Sequence, residues 1–356
     1  MPLEPYAARY TEYLADIERE KLSKHFTVRP IEGLGKDTLP NDIKTGSVLD
    51  SIGRPVWAMN QMTELLSRPD GDDLGKIYFS DFYHTGLDAL AYSGKKFKAF
   101  AFNWAQSWDI HDFTHKQHLQ WMSKWEEMSL ALYYNVFVAS PLLKELMIAA
   151  SPQIASTVHV VGLPFDSKQV RSLAELSDSY TPIAARHFDC VYSSRWDLEK
   201  NPAFFLAVVK RNRHLKFVVC TGRKDLMGTD TNAIAEAKQL ESKGVLNIQR
   251  NLSKQDYFRI LADSKVQFNC ASQDWVSFTL LEALTFGCQP VYPSHRSFPE
   301  TLYYSQAALY TPNDIQGAES RIRSVTSGYC DFLDTDKVLE YHDGTLDRIA
   351  NIIKKA

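Results

Sequence analysis

The sequence predicts an α/β protein of two doubly wound domains, each built on a parallel sheet. Three observations carry this. From residue 188 onward, short apolar runs alternate strictly with helical patterns. The chain has 356 residues, more than one typical core accommodates, and 44% are hydrophobic, enough to fill two. Polar segments follow the strand-like runs, where open α/β sheets bind their ligands.

The first half opens with an amphipathic helix over residues 6–25, with Tyr6, Tyr10, Tyr13, Leu14 and Ile17 at helical spacing. A short strand over 26–31 leads to Gly33-Leu34-Gly35. Residues 55–66 read as a helix and 76–80 as a strand ending at Asp81. Residues 97–102 form another strand and 117–134 a helix rich in Trp and Met. A strand over 135–139 precedes a helix over 141–150 with proline in its first turn. A strand over 158–161 closes this half. Residues 166–185 are polar and irregular, which places the domain junction there. The expected division is 1–165, 166–335 and a C-terminal helix over 336–356.

The second half alternates more strictly. Strands are expected over 188–192, 217–220, 245–248, 266–270 and 290–292. Helices are expected over 202–210, 232–243, 254–263 and 278–286. The simplest architecture is two Rossmann-like domains facing each other, with the active site in the cleft between them.

Composition narrows the function. A net charge of −3 argues against a surface coated in positive charge for nucleic acid, while leaving room for a local basic groove. Five cysteines, an odd number without a C-x-x-C pair, read as buried reduced thiols rather than a metal site. No apolar run approaches the ~20 residues of a membrane span. The first residues lack a basic start and apolar core, so the expectation is a soluble, cytoplasmic protein.

The strand ends of the second half hold the chemistry. They read Ser193-Ser194-Arg195 with Lys200-Asn201 following, Thr221-Gly222-Arg223-Lys224, Gln249-Arg250-Asn251-Leu252-Ser253, Asp274-Trp275-Val276-Ser277, and Ser294-His295-Arg296. Asp274 stands eight positions before Glu282. Glu282 lies among Leu280, Leu281, Ala283 and Leu284, and a carboxylate in an apolar helix needs a partner. The alternative reading of Arg195 and Lys200 is as solvated surface charges.

The segment from about 187 to 303 resembles the donor-binding domain of retaining GT-B glycosyltransferases, the family that includes sucrose, trehalose and lipopolysaccharide synthases. The resemblance rests on Arg195, Lys200-Asn201, Asp274-x(7)-Glu282, Gly287 and Pro299-Glu300, over roughly a third of the chain. It implies transfer of a sugar from a nucleoside-diphosphate sugar to an acceptor hydroxyl with retention, with no cofactor or metal required. Arg195 and Lys200 would neutralise the departing diphosphate. Glu282 would accept from the ribose hydroxyls and Asp274 would hold a sugar hydroxyl. The amides of Val276, Ser277 and Phe278, at a helix start, would face sugar and phosphate. Two departures stand out: Asp274 replaces the family's first glutamate, and Ser193-Ser194 replaces a glycine-rich strand end.

The first half departs from that pattern where an acceptor would bind. Gly33 could bring backbone close to the donor phosphate or simply make a turn. Asp81, His84 and Asp112 are the candidate catalytic residues, with Asp109 beside them, although the leaving phosphate itself can act as base. The segment 104–115 gathers Trp104, Trp108, Asp109, His111, Asp112 and His115. It could bind a sugar or base by stacking or cap a helix; its spacing matches no common zinc pattern. The acceptor stays open. A phage-type enzyme acting on hydroxymethylated pyrimidines in DNA is the alternative, drawing on the basic run at 95–98. A non-catalytic nucleotide-sugar-binding module is a second alternative.

Overall fold

The computed structural model describes residues 11–31, 53–68, 73–84, 86–104, 107–175, 181–328 and 333–356, with the side chains of 11–13, 15, 53–57, 113–114 and 116–120 outside the description. Gly33 therefore lies outside the described residues. The chain divides into two compact units, Met1–Phe165 with Gly344–Ala356, and Asp166–Asp343.

The first unit runs α1 (Thr11–Ser23), α2 (Gly53–Ser67), β1 (Asp73–Phe79), α3 (Leu87–Tyr92), β2 (Lys96–Asn103), α4 (Phe113–Leu130), β3 (Asn135–Val138), α5 (Pro141–Ala150) and β4 (Val158–Val160). Its four strands lie in the order β1-β2-β3-β4, all parallel. β3 and the last five residues of β2 are buried on both faces, as a parallel sheet covered by helices requires. Ser140 caps α5 by accepting from the Leu143 amide, and Pro141 at the first helical position loses no hydrogen bond. The strand expected over 26–31 does not form. Pro30 removes an amide donor from that run, and among the described residues no ladder pairs with it.

The second unit runs α6 (Ser167–Ala174), β5 (Phe188–Tyr192), α7 (Pro202–Arg211), β6 (Phe217–Cys220), α8 (Thr231–Ser242), β7 (Leu246–Gln249), α9 (Lys254–Ala262), β8 (Ser264–Phe268), α10 (Phe278–Thr285), β9 (Gln289–Pro293), α11 (Phe298–Thr301), β10 (Leu309–Tyr310), α12 (Ile315–Thr326) and α13 (Thr335–Asp343). Its sheet has the order β10-β9-β8-β5-β6-β7, every pair parallel. β5, the first strand, pairs with both β6 and β8, so the winding reverses between β5 and β8. That is the topological switch point, where doubly wound sheets open a crevice. One core face packs α7 against the sheet, with the Phe205 ring stacked on Tyr192 at 4.3 Å and Phe204 on Tyr310 at 5.9 Å.

The stretch over 166–185 is not wholly irregular. Asp166 accepts from the Gln169 amide and starts α6, whose Val170 and Ala174 are buried one turn apart. At the end of α10, Gly287 takes φ +73, and a Cβ there would meet the buried Arg186 guanidinium at 2.9 Å. Arg186 spends its donors on the carbonyls of Thr181, Ser264 and Phe286, which ties the first strand's approach to the α10 C-terminus.

Two helices occupy the C-terminal segment. α13 belongs to the second unit, and α14 (Thr345–Lys355) belongs to the first. Thr345 and Arg348 donate to the Val161 carbonyl at 2.9 and 2.7 Å, and His25 meets Asp347 at 2.7 Å. Lys76 donates to the Ile353 carbonyl at 2.6 Å and Lys98 to that of Ala356, cations at the negative end of the helix.

Candidate functional site

The carboxyl edge of the second unit's sheet brings three groups of sequence-predicted residues to the switch point. After β5 the chain passes Ser193 and turns through a single 3-10 turn, Leu198–Lys200, that ends at Asn201 with φ 51. This conformation suits asparagine and lets Pro202 begin α7 directly. The turn buries Lys200, which retains 8% exposure. Its ammonium donates to the Gln273 carbonyl at 2.7 Å and lies 3.6 Å from the Asp274 carboxylate. Lys200 and Asp274, expected from separate motifs, thus meet across the reversal between β5 and β8. The Ser272 amide donates to the Glu199 carbonyl at 2.8 Å, and Cys270 bonds the Lys200 and Asn201 carbonyls, so both strand ends are stitched together.

Arg195 is placed differently. Its side chain keeps 57% exposure and is clasped by Asp197 and Glu199, each at 2.6 Å. The guanidinium is the exposed member and the carboxylates keep only 16% and 9%, so a competing anion reaches this cluster from the arginine side.

The segment 274–277 is shaped from below. The Ser297 hydroxyl donates to the Trp275 carbonyl, and Arg296 lies 5.1 Å from the Trp275 ring centroid. Ser277 is the N-cap residue of α10 in extended conformation, and its hydroxyl bonds that of Thr279 at 2.7 Å instead of a helix amide. Val276, Ser277 and Phe278 lie at the positive end of α10. Glu282, 1% exposed, lies further along the same helix and forms a 2.6 Å ion pair with Lys254. Removing one member of a buried pair costs about 3–5 kcal/mol, so the two are bound to each other energetically.

Sequence reasoning missed Lys254, Tyr257, Gln273 and Ser297. The signal for Lys254 was close at hand: the β7 strand end was read as far as Ser253, which caps α9 by accepting from the Asp256 amide at 3.0 Å. Gln273 acts through its backbone carbonyl, and no residue type announces that.

The candidates in the first unit sit on two loops. Asp81 accepts from the Tyr83 amide at 2.9 Å, an Asx turn that shapes the strand end. His84 is buried, packed on Phe79 and bonded to Gln61 at 2.8 Å. Asp109 accepts from the His111 amide at 3.1 Å, and Asp112 is 2% exposed. One further carboxylate organises both loops. Glu126 on α4, fully buried, accepts from the Ser107 amide at 2.7 Å, from the Ser107 hydroxyl at 2.5 Å and from the Tyr83 hydroxyl. Burial pushes its carboxyl up, against those hydrogen bonds. Glu126 sits mid-helix between Trp125 and Glu127, a position that reads as solvated from sequence alone.

Cys190, Cys220, Cys270 and Cys288 are all buried and unlinked, and burial raises each thiol, Cys270 and Cys288 to about 12, which leaves them inert. Among the described residues no helix is long and apolar enough to cross a membrane.

No family model matches the chain. Solved structures do. A lipopolysaccharide outer core galactosyltransferase is 17% identical, with 86% of this chain and 80% of that one covered at a TM-score of 0.56. A sucrose-phosphate synthase from Thermosynechococcus elongatus is 10% identical, covering 98% and 90%, at 0.63. The Anabaena protein HepE, solved in complex with UDP, is 11% identical, covering 84% and 82%, at 0.59. The likeness shows that the chain shares the parallel-sheet, Rossmann-like α/β fold of these structures.

Proposed function

We propose that this chain is a glycosyltransferase that takes a sugar from a nucleoside-diphosphate sugar and places it on an acceptor hydroxyl with retention. The observation that carries this is the meeting of Lys200 and Asp274 at the switch point of the second unit, with α10 and its buried Glu282 beside them. A leaving nucleoside diphosphate gains negative charge in the transition state, and a fixed cation and a helix N-terminus are what that charge requires. Lys200 supplies the fixed cation. Arg195 supplies a second, mobile one, which exchanges Asp197 and Glu199 for phosphate oxygens as the donor binds. Asp274 takes a hydroxyl of the transferred sugar, the Val276–Phe278 amides face sugar and phosphate, and Glu282 takes the ribose.

UDP is the first nucleotide to test, because the HepE structure was solved with it. On the acceptor side, Asp81 and Asp112 are the carboxylates proposed to orient or deprotonate the hydroxyl. His84, buried against Phe79 and Gln61, serves to hold the Asp81 loop. The acceptor panel begins with small sugars and includes hydroxymethylated DNA as the alternative. Of the basic run at 95–98, Lys98 donates to the Ala356 carbonyl.

The test is a thermal-shift screen of nucleotide sugars, followed by mass spectrometry of the acceptor panel with the donor that binds. A mass gain of one hexose or pentose on an acceptor is expected. Donor binding with neither transfer nor slow donor hydrolysis would point to a binding module instead.

A further inference from the structure

We infer that Lys254 is a positioning residue of the nucleotide site, fixing the Glu282 carboxylate for the ribose and so making the site select ribonucleotides over 2′-deoxyribonucleotides. This rests on the nucleotide-sugar reading above.

Lys254 stands where a lysine is locally unfavourable. It is the first residue of α9, directly after the Ser253 cap, and the positive end of a helix repels a cation. The rest of that turn follows the usual preference, with Asp256 accepting from the Ser253 hydroxyl at 2.7 Å. A residue that breaks a local rule calls for a compensating contact. That contact is Glu282, 2.6 Å away on α10. The ammonium also lies 5.5 Å from the centroid of the Tyr257 ring and 5.4 Å from that of Phe258, which restrict its swing.

The pair is anchored at the switch point. Tyr257, one turn beyond Lys254, donates its hydroxyl to Ser193 Oγ at 3.3 Å, and Ser193 is the residue immediately after β5. The pair is also unequally covered: the Lys254 side chain keeps 18% exposure and Glu282 only 1%. Solvent, and a ligand arriving from solvent, reaches the pair from the lysine side. A ribose that hydrogen-bonds the carboxylate therefore passes the ammonium, which holds the carboxylate oxygen at 2.6 Å. Without the lysine, Glu282 loses that contact and with it part of its aim at the paired 2′ and 3′ hydroxyls.

The test is calorimetric binding of UDP, ADP and GDP and of their 2′-deoxy counterparts to the full chain. Wild type is expected to prefer the ribo form by about tenfold, the worth of one hydrogen bond to a charged group. Lys254→Met should shrink that preference to near unity, and Lys254→Arg should keep most of it. Lys254→Gln applies the same criterion without the charge if the Met variant fails to fold. A ribo-to-deoxy ratio unchanged in the Met or Gln variant would show Lys254 to be structural only and overturn the inference, leaving the nucleotide-sugar reading intact. Wild type that binds none of the six nucleotides overturns both.

Discussion

In the proposed reading, Lys200 is the residue on which the chemistry turns. It is buried, it meets the Gln273 carbonyl and the Asp274 carboxylate, and the 3-10 turn that carries it is closed by an asparagine in left-handed conformation. A cation held this way needs no reorganisation when charge builds on the leaving group, so its effect concentrates in the transition state. Lys200→Ala should therefore lower kcat by roughly 100-fold or more while changing donor affinity by less than about tenfold, and Arg195→Ala should do the same more weakly because its guanidinium is exposed. Steady-state kinetics on both variants, with EDTA present, checks this. A loss confined to KM would mean that Lys200 binds donor and transition state alike. A strict need for added divalent metal would mean that the diphosphate is neutralised by other means.

Among the elements, α1 holds a further buried carboxylate, with a measurable consequence. Glu18 accepts from the Ser80 hydroxyl at 2.6 Å and from that of Tyr78 at 3.2 Å, at the end of β1. Burial raises its carboxyl from the ordinary 4.5 to about 7, outweighing both hydrogen bonds. A carboxyl raised on folding favours the protonated folded state. Its contribution is fully present below about pH 4.5 and is lost as pH rises through about 7, on the order of 3 kcal/mol in all. The unfolding midpoint of the first unit should therefore fall between those pH values, and Glu18→Gln should flatten that slope. An identical pH profile in the variant would rule the assignment out. This element also marks how far the sequence can be read. The strands β5 and β6 match their expected bounds, because short apolar runs between polar ends, unbroken in β6 and interrupted only by Asp189 in β5, have one reading where the strand is covered. Glu282 stood out as a carboxylate within an apolar helix, whereas Lys200 and Asp274, in a short turn and a loop, were marked by the resemblance and not by their local surroundings. Glu18, Glu126 and Lys254 were not legible. Each lies among other charged or polar residues on its helix, and only the tertiary fold decides which of these turns inward. The run at 26–31 failed for the opposite reason: apolar residues without a pairing partner do not make a strand.

At the scale of the whole molecule, the candidate donor residues other than Gly33 belong to Asp166–Asp343 and the candidate acceptor residues to the unit completed by α14. That division makes the two sets separable by mutation. Ile349 on α14 is fully buried, and Ile349→Ala should destabilise the first unit by about 2–5 kcal/mol while leaving nucleotide binding unaltered. Parallel denaturation and nucleotide titration check this, and loss of nucleotide affinity at temperatures where the variant is folded would contradict it. The central claim is that a nucleotide sugar occupies the switch point of the second unit. Hydrogen exchange measured by mass spectrometry, with and without a saturating nucleotide sugar, tests it most directly. The account predicts slowed exchange in residues 193–201 and 273–284, with the helices α8 and α12 unchanged. Protection confined to other segments, or no protection by any nucleotide sugar, would contradict it.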